Sequence, residues 1–297
     1  MPPLHILLTG GTGGIGEGIA RGLAQAGARL IVTGRNQERG EKFAFDLCQL
    51  GGTVSFLPAD LSDQRGTVAL AQAYTRLRLP LDVLINNVGG VWPERQLTPE
   101  GLEKTLAINH VHPFLLSACL FPLLKASRGK VVHQSTGYHE LVTLTKQDWE
   151  QKRFDAGMNV YGRSKKISLL AGLYQAWLWQ REGVGLQFAD PGMAWTPLTS
   201  QMGREYFPWY GRFLVPSIHA LQKKIPLAWA AGPAVQLALH PEDQRPGVYA
   251  FPPGFRLRLK PSKTGRLRGR LFLAMTRERW FTAESRDALK AAFAGEW

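Results

Sequence analysis

Tyr161 and Lys165 stand four residues apart in Val160–Arg181, a stretch with helical patterning. That spacing puts both side chains on one face of a helix. An ammonium beside a phenol favours phenolate and lowers a pKa that is about 10 when unperturbed. Tyr161 would then serve as a general acid or base near neutral pH. Just upstream, the strand-like run Lys130–Gln134 ends in Ser135-Thr136, two hydroxyls at a sheet edge. A lone Y-x-x-x-K recurs by chance in many helices. Its place one helix after those hydroxyls gives it weight.

The stretch Thr9–Gly16 points to a second kind of chemistry. It follows the short apolar run Leu4–Leu8 and opens the helical pattern Glu17–Ala26. Gly10 permits a tight turn, Gly14 lets backbone approach a phosphate, and Gly16 lets the helix pack closely on the strand. The turn, Thr12 and Ile15 included, and the free N–H groups of the helix's first turn then face a dinucleotide pyrophosphate. The spacing is T-G-x-x-x-G-x-G rather than G-x-G-x-x-G. The plain alternative is an ordinary glycine-rich strand-to-helix connection.

The ends of the following strands add to this. Arg29–Thr33 runs into Gly34-Arg35-Asn36. An acid there would hold a ribose 2′-hydroxyl, whereas an arginine suits a 2′-phosphate, so the expected cofactor is NADP(H). Val54–Leu57 leads to Asp60-Leu61, placed to meet the adenine edge. Asp82–Asn86 leads to Asn87-Val88-Gly89, where backbone can run close under the cofactor. Each has a plain alternative: Arg35 as a surface cation, Asp60 as a helix cap, Asn86–Gly89 as a common turn. Together, at the ends of successive strands, they point to one nucleotide site.

Helical stretches alternate with seven strand-like runs, the last two being Gly185–Ala189 and Val248–Phe251. The expected fold is α/β: a single doubly wound Rossmann domain over residues 1–254, with a seven-stranded parallel sheet and helices on both faces. One long helix is expected near Glu100–Lys125. Ligands would sit beyond the carboxyl ends of the strands. Two regions break the alternation. Tyr138–Gly157 is a polar insertion, and Met193–Pro226 is aromatic and proline-punctuated, an expected lid. Tyr206, Phe207, Trp209, Tyr210 and Phe213 crowd it. They either pack the lid on the core or a second subunit, or form an apolar pocket for a bulky lipophilic carbonyl compound.

The chain has 297 residues, 44% of them hydrophobic, room for one large α/β domain. No apolar run reaches the ~20 residues of a membrane span. Leu4–Leu8 runs straight into the glycine turn and reads as structural rather than as a signal peptide, so a cytoplasmic location is expected. Cys48 and Cys119 read as reduced core thiols. His110 and His112, two residues apart, do not share a helix face, and no metal site is expected. His133 reads as a packing residue, and His139 is a candidate to line the substrate pocket. The net charge of +13 is concentrated in a basic extension over 255–297, where Arg256, Arg258, Lys260, Lys263, Arg266, Arg268 and Arg270 occur without an intervening acid. Trp280 and Phe281 follow. An anionic membrane surface is a candidate partner of the 256–281 segment, giving a peripheral position; the plain alternative is a solvated tail. No recognition motif for nucleic acid is present, so none is expected as a partner. A homo-oligomer stays open.

Thr9–Gly16, Asp60, Asn86-Asn87-Val88-Gly89, Asn109, Ser135-Thr136, Tyr161-x-x-x-Lys165 and Asp190-Pro191-Gly192 followed by Thr196 together resemble a classical short-chain dehydrogenase/reductase over roughly the first 250 residues. The insertion from His139 to Met158, with its Asp148–Phe154 stretch, is most similar to the retinol-dehydrogenase-like branch. The resemblance implies a catalytic group of Asn109, a hydroxyl residue, Tyr161 and Lys165. It also implies that Lys165 grips the nicotinamide ribose, that Asn109 holds a water linking Lys165 to solvent, and that Thr196, beyond Pro191 and Gly192, holds the nicotinamide amide. The family's serine falls on Thr136, whose methyl and stiff χ1 narrow the slot for a carbonyl, with Ser135 as the alternative hydroxyl. Val88 stands where the family has alanine. The implied function is NADP(H)-dependent hydride transfer to or from a lipophilic aldehyde, ketone or alcohol. The competing reading is a catalytically silent NADP-binding regulator or membrane-docked scaffold. That reading would be favoured by a missing tyrosine or lysine, and both are present.

Overall fold

The computed structural model describes residues 3–149, 151–250, 255–257, 270, 274 and 276–292. Its sheet contains β1 (His5–Leu8), β2 (Arg29–Gly34), β3 (Thr53–Pro58), β4 (Val83–Asn86), β5 (Lys130–Gln134), β6 (Gly185–Asp190), β7 (Val248–Ala250) and β8 (Phe255–Leu257). The spatial order is β3-β2-β1-β4-β5-β6-β7-β8. Neighbours from β3 to β7 run parallel, and β8 pairs antiparallel with β7. The expected seven-stranded parallel sheet is thus corrected to a mixed sheet of eight strands. A strand this short, at the start of a run of cations, carries too little periodicity to stand out in the sequence.

The sheet is covered on both faces, which is why its central strands β4, β5 and β6 are buried throughout rather than alternating. In β1, Ile6 and Leu8 face one core with Ile19 and Leu23, while Leu7 faces the other with Leu70, Tyr74 and Leu116. Helix α1 (Gly14–Gln25) follows β1, α2 (Gln37–Gln49) follows β2, and α3 (Gln64–Arg76) follows β3. Strand order reverses between β1 and β4, and that switch point brings the glycine turn beside Asn87.

The single helix expected near Glu100–Lys125 is broken. A π-helical turn occupies Ala107–Val111, followed by α4 (His112–Cys119) and α5 (Phe121–Ser127). Pro113 has no N–H to offer the Asn109 carbonyl, and the His112 N–H reaches back five residues to Ala107. Leu120 marks a bend of 57°. No single described helix is long and apolar enough to cross a bilayer.

The C-terminal segment closes the third core. Ile167 and, from α4, Phe114 and Leu115 contribute to it, and Trp280, Phe281 and Leu289 lie against them. Gln64 clamps this segment twice: its Nε2 donates to the Trp280 carbonyl at 2.6 Å, and its Oε1 accepts from the Thr282 N–H at 2.9 Å. Trp280 and Phe281 are each 4% exposed. The reading that put these two rings at a membrane surface is therefore overturned, because the core competes for them. Apart from the short β8 and Arg270, the cationic run Arg256–Arg270 lies outside the described residues. Cys48 is exposed rather than a core thiol.

Candidate active site

Tyr161 and Lys165 lie on α6 (Gly157–Trp179). The insertion fixes this helix. Arg163, buried two residues past Tyr161, pairs through Nε with Asp148 and through Nη2 with Asp155, each at 2.8 Å. Lys165 Nζ donates to the Gln134 carbonyl at 2.8 Å and lies 5.8 Å from the centre of the Tyr161 ring. Burial lowers the Lys165 pKa to about 8, against an opposing pull from Asp190.

The phenol does not behave as the i, i+4 argument expects. Burial pushes the Tyr161 pKa up, the Asp190 charge adds in the same direction, and a hydrogen bond with the Thr136 side chain works against both. Lys165 is directed at the end of β5 instead, and burial weakens its charge. Asp190 is therefore part of the site's electrostatics, which its place in the sequence did not reveal. It ends β6, accepts from the Gly192 N–H at 2.9 Å, and its own pKa is raised by burial while His139 and Lys165 pull it down.

The two hydroxyls differ in surroundings. The Thr136 side chain acts on the Tyr161 phenol, opposing the effect of burial, and accepts from the Tyr138 N–H at 3.2 Å. Ser135 Oγ is buried with no hydrogen-bond partner in the protein. Consecutive residues leaving a strand point to opposite faces, so the two cannot both reach the phenol. His139 is buried, bonded through Nδ1 to the Thr136 carbonyl and paired through Nε2 with Glu140 at 2.9 Å.

Asn109, in the π-turn, donates to the Gly90 carbonyl at 2.7 Å and to Ser164 at 3.2 Å, and accepts from the Gly90 N–H at 3.0 Å. A Cβ on Gly89 would sit 2.8 Å from Asn109 Oδ1 and 3.7 Å from Lys165 Nζ. The three residues therefore meet under one strip of backbone. Asn87 Nδ2 donates to the Thr9 and Gly10 carbonyls at 3.0 and 3.1 Å, bracing the glycine turn.

The turn has the shape of a phosphate cradle. Gly10 and Gly14 take φ of +65° and +56°, where a side chain would be strained, and a Cβ on Gly16 would lie 2.1 Å from the Gly10 carbonyl oxygen. No side chain caps α1, whose first-turn N–H groups face the turn. Across the cleft, Thr196 lies 3.6 Å from the position of a Gly14 Cβ, beyond the Pro191-Gly192 bend where Gly192 has φ +66°. Arg35 is exposed at the end of β2, and Asn36 caps α2, accepting from the Arg39 N–H at 2.8 Å. Asp60 is exposed and accepts from the Ser62 N–H at 3.0 Å, Leu61 gives its carbonyl to His112, and Asp63, not Asp60, caps α3. Arg39 escaped the sequence reading: its Nη2 donates to the Thr12 carbonyl at 3.0 Å, so it stands beside the turn. The signal was a cation one helical turn past Arg35. Donors, backbone surface and cations thus fit a dinucleotide with an extra phosphate.

The lid divides. Met202, Phe207 and Val215 pack with Val91, and Tyr206, Ile218, Met158 and Tyr161 close that cluster. Trp209, Tyr210 and Phe213 stay exposed, so the five aromatics do not form one pocket. His133 on β5 and His110 in the π-turn are interior: His133 stacks on Phe114 at 5.0 Å, His110 bonds Thr276 at 2.8 Å, and burial lowers both pKa values to about 3. Among the described residues no cluster of three His, Cys, Asp or Glu converges as a metal site. A surface depression of about 670 Å³ is lined by Arg128, Glu182 and Gln244 at the amino ends of the strands, away from Tyr161.

A family model described as short chain dehydrogenase matches residues 4–140. Polyprenol dehydrogenase of Mus musculus is 32% identical over 206 residues, 66% of this chain and 62% of that protein. Short-chain dehydrogenase TIC 32 A of Brassica napus is 30% identical over 67% of each chain. The chain spans a little under two thirds of the first curated relatives' length, 62% and 64%. Among solved structures, the Pseudomonas aeruginosa RhlG/NADP active-site complex superposes with TM-score 0.66 at 25% identity, covering 86% of this chain and 96% of RhlG. On this similarity the chain belongs to the short-chain dehydrogenase family.

Proposed function

We propose that this chain is an NADP(H)-dependent oxidoreductase that interconverts a lipophilic aldehyde or ketone and its alcohol, with its Rossmann domain over residues 1–254 and the C-terminal extension packed on it. The observation that carries the reading is the placement of Lys165, held by the Gln134 carbonyl at 2.8 Å and 5.8 Å from the centre of the Tyr161 ring, with the Thr136 side chain near enough to the phenol to act on its pKa. The nicotinamide, when bound, supplies or accepts the hydride. The chain supplies the rest. Gly10, Thr12, Gly14, Ile15 and Gly16 would cradle the pyrophosphate, Asp60 and Leu61 the adenine, and Asn87 and Gly89 the ribose side. Arg35 and Arg39 would hold the 2′-phosphate, and Thr196 the amide.

In the reducing direction Tyr161 gives its hydroxyl proton to the substrate oxygen. A phenol whose pKa is pushed up keeps that proton at neutral pH, which suits an acid. Thr136 would hydrogen-bond the same oxygen, making it the working hydroxyl in preference to Ser135. Lys165, cationic below about pH 8, would hold the ribose and offset charge on the phenolate left behind. Asn109 would keep water aligned with Lys165.

Support for a lipophilic substrate comes from the apolar inner lid over Tyr161 and from the name of the mouse polyprenol dehydrogenase. A cytoplasmic chain peripheral to a membrane is consistent with such a substrate. The test is NADPH consumption against a panel of lipophilic aldehydes and ketones, with NADH in parallel. No turnover by the wild type, or equal turnover by Tyr161→Phe, would reject it.

A further inference from the structure

We infer that the outer face of the lid docks on an anionic bilayer surface. Trp209, Phe213, Tyr210 and Leu214 are 81%, 72%, 57% and 46% exposed within a single 3₁₀ segment, Trp209–Leu214. Single exposed apolar residues are ordinary, but four clustered on one short element mark a contact surface. Burial of Phe207 just before this segment and Val215 just after it holds the segment against the body of the protein. The lid is thus two-sided: its inner side covers Tyr161, and its outer side faces solvent.

Charge selects the partner. Arg204, Arg212, Lys223 and Lys224 lie in the same stretch of chain as the segment, and Glu205 is the single acid in residues 193–226. Arg212 is tied back, its Nε donating to the Phe207 carbonyl at 3.2 Å, and Lys223 lies 4.7 Å from the centre of the Trp195 ring. Exposed aromatic and leucine side chains in a stretch with four cations and one acid match an interface of acyl chains under anionic headgroups. A second copy of the chain fits poorly, because a twofold contact would set the same four cations against themselves. The inference rests on the proposed function only for what would pass from the bilayer to Tyr161. The docking itself stands on the exposed face.

The experiment is cosedimentation of the full chain with vesicles of phosphatidylcholine alone or mixed with phosphatidylserine, at low and high salt. Binding is expected on the mixed vesicles and weakens with salt. Trp209→Ser with Phe213→Ser is expected to reduce it more than tenfold. Arg212→Gln, Lys223→Gln and Lys224→Gln together should reduce it by about fivefold per cation. Unchanged NADPH affinity shows that the variants are folded. Equal binding to both vesicle types would overturn the inference. So would binding that survives both lid variants, which would assign it to the basic extension, or dimerisation abolished in the aromatic variant without vesicle binding. A chain with no turnover can still dock, so failure of the proposed function is told apart from failure of this one.

Discussion

The Lys165 ammonium and the Gln134 carbonyl oxygen lie 2.8 Å apart, which ties the helix that carries Tyr161 to the end of the strand that leads into Thr136. A charged donor makes this bond stronger than a neutral one. The acid and its hydroxyl partner are held on separate elements, and this bond sets their separation.

Tyr161→Phe is expected to bind NADPH normally and lose turnover by at least about 100-fold, the usual scale of a general acid. Thr136→Ala should approach that loss, while Ser135→Ala should cost little. Steady-state rates and cofactor titration check all three. The reverse order for the two hydroxyl variants would make Ser135 the working group.

Arg35 and Arg39 flank the place expected to receive the 2′-phosphate. Removing either guanidinium should weaken NADPH binding about tenfold or more and leave NADH nearly unchanged, because the charge-assisted hydrogen bonds it would make go to the phosphate alone. Dissociation constants of both cofactors for Arg35→Ala, Arg39→Ala and the pair are the measurement. A weakening shared equally by NADH would place the arginines elsewhere.

Asp190 raises the pKa of both Tyr161 and Lys165. Asp190→Asn keeps an oxygen for the Gly192 N–H and removes the charge. Carbonyl reduction needs protonated Tyr161, so its rate falls as pH rises through that pKa. In the variant this alkaline limb should move to lower pH. A limb that stays put would exclude Asp190 from the electrostatics of the site.

His110 and His133 are held neutral, with folded pKa values of about 3 against an ordinary 6.5. Below pH 6.5 the unfolded chain takes up protons that the folded chain refuses. Stability is therefore full above 6.5 and falls toward pH 3 by roughly 1.4 kcal/mol per pH unit for each histidine. His133 is stacked between Phe114 and Phe188, and His133→Phe keeps an aromatic ring there. Urea midpoints at pH 7 and pH 5 should differ less in that variant than in the wild type.

The site's residues were legible where a local rule marks them. Positive-φ glycines, an i, i+4 pair and hydroxyls at a strand end are short-range patterns, and they led to the turn, to Tyr161 with Lys165, and to Thr136. What stayed hidden depends on distant partners. Asp190 acts on Tyr161 from another strand, Arg39 reaches a carbonyl on the turn after β1, and Trp280 finds its place only against Gln64. The π-turn was hidden for another reason: Pro113 marks a helix start as readily as a defect inside one.

The clamp of Gln64 on Trp280 and Thr282 spans more than 200 positions along the chain. An interaction so remote is late in folding, since its loop must close before it gains anything. During synthesis the face made by Val68, Phe114 and Leu115 waits bare until Trp280 and Phe281 emerge. A chain cut after residue 254 would keep every side chain of the site and still hold an uncovered greasy flank, a good substrate for chaperones and a poor one for crystallisation.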